Sequence, residues 1–171
     1  DNVLTLTKAR IPWLIIGMVG GLLGAQIIGL FEIEKTPLLV FFIPLITAMG
    51  GNVGVQSSAI VVQGLATQTL GIDNWSKRFI KEFSIASLNA LICCVLLFFV
   101  STYLYPQPLI ALTVSLSLST VMVFAALFGT FVPLILHKNK IDPALATGPF
   151  ITTMSDVIGL FIYFSIAKLI L

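Results

Sequence analysis

The residue of this sequence most able to do chemistry is a carboxylate set in the middle of an apolar stretch. Asp156 lies in Thr152-Thr153-Met154-Ser155-Asp156-Val157-Ile158-Gly159, with Thr152 one helical turn before it and Gly159 about one turn after. Hydroxyl, carboxylate and accessible backbone thus share a face. Counted from Asp142-Pro143, where the stretch begins, Asp156 is fourteen residues in, roughly 20 Å along a straight helix. An acid at that depth in a bilayer costs at least about 2.5–3.5 kcal/mol on insertion scales, so a partner or a water-filled cavity is expected. None of the nine Lys and Arg residues falls mid-span to serve as that partner. Protonation, hydrogen bonding alone or a mobile cation would each satisfy Asp156, and the functional reading of intramembrane acids favours the cation.

A second group of misplaced polar residues lies in Pro44-Leu-Ile-Thr-Ala-Met-Gly50-Gly51-Asn52-Val-Gly54-Val-Gln56. Asn52 and Gln56 are four apart and share a helix face, to which Gln63 nearly returns, while Gly50, Gly51 and Gly54 bare backbone carbonyls. Interhelical hydrogen bonding would account for the amides, as would the lining of a water-filled path. In the segment of Asp156, Gly148-Pro149 removes a backbone hydrogen bond and favours a kink, freeing carbonyls between Asp142 and Asp156. No His or Cys joins these oxygens. A hard donor set with room for retained waters suits Mg²⁺ or Ca²⁺ better than zinc or copper, without choosing between the two.

These residues have to be positioned by membrane helices. Of 171 residues, 58% are hydrophobic and 9% charged, with a mean hydropathy of +1.10, far outside the usage of soluble domains. The formal net charge of +2 is too slight to argue for nucleic acid or an acidic substrate. Residues 36–72 and 83–136 hold no Asp, Glu, Lys or Arg. A span needs about 20 apolar residues, so the longer run holds two, divided at Tyr103-Leu104-Tyr105-Pro106-Gln107-Pro108. The reading is an all-α membrane protein, one domain over 1–171, with five spans at about 11–31, 38–66, 83–104, 109–136 and 143–169.

Basic residues alternate in side. Lys8 and Arg10 precede the first span, Lys77, Arg78 and Lys81 follow the second, and Lys138 and Lys140 follow the fourth. The positive-inside rule places these at the cytoplasm, with Glu32, Glu34 and Lys35 outside, the N-terminus cytoplasmic and the C-terminus external. Gly17, Gly20, Gly21 and Gly24 form two overlapping Gly-x-x-x-Gly spacings, read as helix packing. Trp13, Trp75, Tyr103 and Tyr105 read as interface anchors, and His137, in His137-Lys138-Asn139-Lys140, as part of the topology-setting loop. Adjacent Cys93 and Cys94 exclude a disulfide framework and carry no chemistry. The chain offers no signal-peptide pattern, and its start at Asp1 reads as a processed or truncated boundary.

Two motifs, in order, then resemble the transmembrane domain of the MgtE family of magnesium channels or transporters. They are Pro44 through Gly50-Gly51-Asn52-Val53-Gly54-Val55-Gln56, and Asp142-Pro143-Ala144 through Gly148-Pro149 and Thr152-Thr153 to Asp156-Val157-Ile158-Gly159. The resemblance covers essentially the whole chain. It implies a non-enzymatic pore in a bacterial-type inner membrane, formed by a homodimer in the lipid bilayer and lined at the dimer interface by the second and fifth helices. By the same resemblance Asp156 takes the central Mg²⁺ position, Asp142 the acid at the cytoplasmic start of the fifth helix, and Glu82 the acid opening the third. Asn52, Gln56, Gly51, Gly54, Thr152 and Gly159 are the expected lining, and other divalent cations are possible cargo. Glu82 is four residues from Arg78 and one from Lys81, so a solvated salt bridge competes with a ligand role. The cytosolic N-terminal domain and CBS modules typical of the family have no counterpart here, so the chain is expected to be the membrane part alone. A proton-coupled secondary transporter and a non-transporting membrane assembly subunit are the rival readings; proton-gradient dependence of flux separates the first, and ion passage by purified protein the second.

Overall fold

In the computed structural model, residues 3–31, 36–69, 75–146 and 148–171 are described; Glu32, Glu34, Lys35 and Thr147 lie outside them, as does the Trp75 side chain. Five helices follow in order: α1 Val3–Leu30, α2 Ile43–Ala66, α3 Trp75–Leu104, α4 Pro108–Lys138 and α5 Pro149–Ile170. All five are long and apolar enough to cross a membrane. Short 3₁₀ turns, Pro37–Phe42 and Pro143–Ala146, lead into α2 and toward α5.

Prolines set several of these starts. Pro44, Pro108 and Pro149 stand in the first turn of α2, α4 and α5, where a missing N–H costs nothing and the fixed φ suits the helix. The expected break at Tyr105-Pro106-Gln107 separates α3 from α4. At the end of α4, His137 and Lys138 stand in the last turn, favourable for the helix dipole, and Asn139 Nδ2 donates to the Ile135 carbonyl at 2.9 Å.

The ends differ from the expected spans in three places. α1 begins at Val3 and runs through Pro12, and α3 begins at Trp75, so Lys8, Arg10, Lys77, Arg78 and Lys81 are helical rather than loop residues. A hydropathy window finds the part of a helix inside hydrocarbon, whereas hydrogen bonding carries the helix beyond it. The fifth segment is the larger correction: 143–169 is not one kinked helix. Pro143–Ala146 is a separate turn and α5 starts at Pro149, behind Gly148 with φ of 78° and ψ of −122°.

α2, α4 and α5 pack against one another, while α3 leans chiefly on α4 and α1 chiefly on α5. α4 is the centre: 61% of its most apolar window is buried, against 11% for α1 and for α3. Val114, Leu118, Val121 and Met122 of α4 join Ile46 of α2 and Leu160, Tyr163 and Phe164 of α5 in one core. Gly54 of α2 and Gly129 of α4 bring two backbones into contact, so that a Cβ on Gly129 would collide with the Gly54 backbone. On α1 the small-residue spacing divides. Gly20 and Gly24 face Thr153 and Leu160 of α5, whereas a Cβ on Gly17 or Gly21 would meet nothing within 4 Å.

At the far end of the bundle, Tyr163 is fully buried and its hydroxyl donates to the Leu39 carbonyl at 2.8 Å, tying α5 to the turn before α2. Phe31 stacks on Phe164 at 5.4 Å, and Tyr105 meets Phe42 edge-on at 5.7 Å. Tyr105, expected as an interface anchor, thus also packs within the bundle.

Candidate metal site

Asp156 owes its position to the start of α5. Gly148 adopts a backbone conformation that side chains disfavour, Pro149 begins the helix, and the Thr152 amide donates to the Gly148 carbonyl at 3.0 Å. Asp156 therefore lies about two turns into α5, roughly 10 Å from its first residue rather than the 20 Å of a helix begun at Pro143. Thr152 and Asp156, one turn apart, both face α2 at Gly51. A Cβ added at Gly51 would stand 3.3 Å from Thr152 Cγ2 and 3.7 Å from Asp156 Oδ1. The glycine lets a carboxylate and a neighbouring helix share this space.

The space is an open groove of about 430 Å³ between α2 and α5, in which Gly51, Asn52 and Gln56 face Thr152 and Asp156. Pro44 and Thr47 line its other end, the Thr47 hydroxyl being turned to the Ile43 carbonyl of its own helix at 3.0 Å. Asn52 and Gln56 are exposed and Asp156 is half-buried. Among the described residues no Lys, Arg or His lines the groove, and no hydrogen bond or ion pair joins Asp156 to another of them. Its carboxylate stands beside two amides and a hydroxyl. Such a donor set fits a hard cation that keeps part of its water shell.

Gly54 and Gly159, expected in the same lining, are turned into the bundle. A Cβ on Gly54 would meet Ile151 Cγ2 and Ser155 Oγ at 2.9 Å, and one on Gly159 would meet Val121 Cγ1 at 3.2 Å. They hold α2, α4 and α5 together behind the groove. The other two acids lie elsewhere. Asp142 Oδ1 accepts the Ala144 amide at 2.9 Å, initiating the 3₁₀ turn. Glu82 of α3 accepts the Ser57 hydroxyl of α2 at 3.4 Å, and no ion pair joins it to Arg78 or Lys81. Among the described residues no three His, Cys, Asp or Glu side chains gather. Thr47 and Ser57 were not singled out from the sequence; Thr47 stands four residues before Gly51 and was legible by that spacing.

Residues 43–166, which contain all of α2, α3 and α4 and most of α5, match the family model MgtE, described as divalent cation transporter. This chain belongs to the MgtE family. The magnesium transporter MgtE of Bacillus subtilis is 38% identical over 160 residues, covering 92% of this chain and 36% of that protein. Its namesake from Thermus thermophilus is 36% identical over 168 residues, with coverage of 97% and 37%. That of Enterococcus faecalis is 31% identical over 172 residues, with coverage of 99% and 38%. The chain thus spans little more than a third of the length of these relatives. Family membership and five apolar helices make it an integral membrane protein, and the Asp156 groove lies within the matched MgtE region.

Proposed function

We propose that this chain forms half of a Mg²⁺-conducting pore, two copies meeting about a two-fold axis so that their α2–α5 grooves face each other. The observation that carries the reading is Asp156, half-buried on an open groove with no cationic side chain beside it among the described residues. Two such carboxylates would balance one divalent ion. Coulomb attraction, stronger in a partly desolvated pore than in bulk water, would favour a divalent over a monovalent cation there. Mg²⁺ dehydrates reluctantly, so the carboxylates would meet a largely hydrated ion whose waters touch Thr152, Asn52 and Gln56. Outer-sphere contacts at several points are weak enough to release it. Glu82 and Asp142 supply further negative charge toward the end of the bundle that bears Lys77, Arg78, Lys81, Lys138 and Lys140, taken as cytoplasmic. The names of the relatives support Mg²⁺ as cargo.

The test is Mg²⁺ uptake into liposomes by purified protein, driven by a fixed Mg²⁺ gradient with and without a proton gradient. Uptake indifferent to protons and strongly reduced by Asp156→Asn is the expected result. Strict dependence on the proton gradient would replace the channel by a coupled carrier, and uptake unaltered in Asp156→Asn would remove Asp156 from the path.

A further inference from the structure

A second and larger cavity, about 730 Å³, opens between α2 and α3 with α4 as its floor. It exists because α3 rests on α4 without packing along α2. Its chemistry is graded. At the end where α2 stops and α3 starts it is bordered by Gln63, Thr67, Arg78, Lys81 and Glu82; toward the middle of the bundle by Val53, Ile92 and Met122. From Lys81 to Cys93, both on its wall, α3 rises roughly 18 Å, close to half of a hydrocarbon core about 30 Å thick. The cavity therefore runs from one membrane interface to about mid-bilayer.

Arg78 is the group that the family reading does not use. Its Nε is buried without a hydrogen-bond partner among the described residues, and Glu82, one turn along the same helix, is engaged by Ser57 rather than by Arg78. A buried Arg78 N–H with no partner among the described residues, at an interface, beside a second cation and above a cleft one leaflet deep that is mainly apolar but also bordered by Ser57 and Asn89, matches an anionic amphiphile. We infer that the α2–α3 cleft is a binding site for an anionic phospholipid, its phosphate on Arg78 and Lys81 and an acyl chain along Ile85 and Ile92 toward Met122. The site lies beyond the Asp156 groove, meeting it only at Gln56, which borders both cavities. The inference uses the membrane placement of the helices and not the role of Asp156.

Native mass spectrometry of the purified protein with phosphatidylglycerol and phosphatidylcholine of identical chains tests it. Retention of phosphatidylglycerol should exceed that of phosphatidylcholine by at least about fivefold. Arg78→Gln with Lys81→Gln should bring the two lipids level, while Lys77→Gln with Lys140→Gln, which removes the same charge outside the cleft, should leave the preference intact. Excess inorganic phosphate should not displace the lipid. Equal retention in the wild type, an unchanged preference in the double variant, or displacement by phosphate would each overturn the proposal. Should the double variant fail to fold, Ile92→Trp with Trp13 and Trp75 replaced by Phe reads the same site. Phosphatidylglycerol brominated in its chains and diluted into phosphatidylcholine bilayers should quench that tryptophan beyond its bulk mole fraction. Quenching no greater than the bulk fraction, or cross-linking of two copies through Ile60→Cys, would overturn the lipid assignment, the latter by placing a second copy in the cleft.

Discussion

At the scale of single residues, the amide of Asn has nearly the shape of the Asp156 carboxylate and none of its charge. Asp156→Asn should keep the helical circular dichroism of the wild type and lose at least about tenfold in Mg²⁺-over-Na⁺ selectivity, the equivalent of about 1.4 kcal/mol. Wild-type reversal potentials in that variant would show that the carboxylate does not set selectivity. Thr152→Val removes a hydroxyl from the groove while preserving volume, and should reduce liposome Mg²⁺ uptake less than Asp156→Asn does. Much of this neighbourhood was legible in the sequence. Asn52 and Gln56, or Thr152 and Asp156, recur every four residues and share a face wherever the helix points. Gly54 faces away from the groove because it is two residues from Asn52, about 200° around the helix, which sends it to the opposite side. Gly159, three residues from Asp156, lies far enough around α5 to meet Val121 instead of the groove.

Among the elements, contact between α2 and α4 at Gly54 and Gly129 makes the strongest demand on side-chain size. Gly54→Leu or Gly129→Leu should destabilise the fold by about 1–3 kcal/mol or more, lowering the unfolding midpoint in detergent. Gly21→Leu, facing open space within the chain, should leave that midpoint near wild type, whereas Gly20→Leu, directed at Thr153, should not. A midpoint unchanged in Gly54→Leu would mean that the two backbones are free to separate. Tyr163→Phe removes the bond to the Leu39 carbonyl and should cost about 0.5–1.5 kcal/mol in the same measurement. The five apolar segments and the Tyr105–Gln107 break were legible because hydrocarbon and proline impose strong composition signals. The entry to α5 was not. Gly148-Pro149 is equally compatible with a kink inside a helix and with the first residues of a new one, and only the positive φ of Gly148 separates them.

For the whole molecule, the proposed two-fold arrangement puts Asn52 of one copy near that of another. With Cys93 and Cys94 replaced by Ala, Asn52→Cys should form a covalent dimer under mild oxidation much faster than Leu96→Cys, which is exposed on α3. Equal rates at the two positions would dismiss the facing-groove dimer while leaving the single-chain fold untouched. No intrachain pattern encodes which surface meets a second copy, which is why the dimer rests on the resemblance and on charge balance at Asp156 rather than on helical periodicity. The attachment of α1 has a mechanical corollary. Because α1 rests chiefly on α5, through Gly20 and Gly24 against Thr153 and Leu160, a tug on the amino-terminal end is felt first by the helix that bears the acid. Thr153 and Leu160 bracket Asp156 in sequence, so that outer lever bears on the very stretch of α5 that carries the carboxylate.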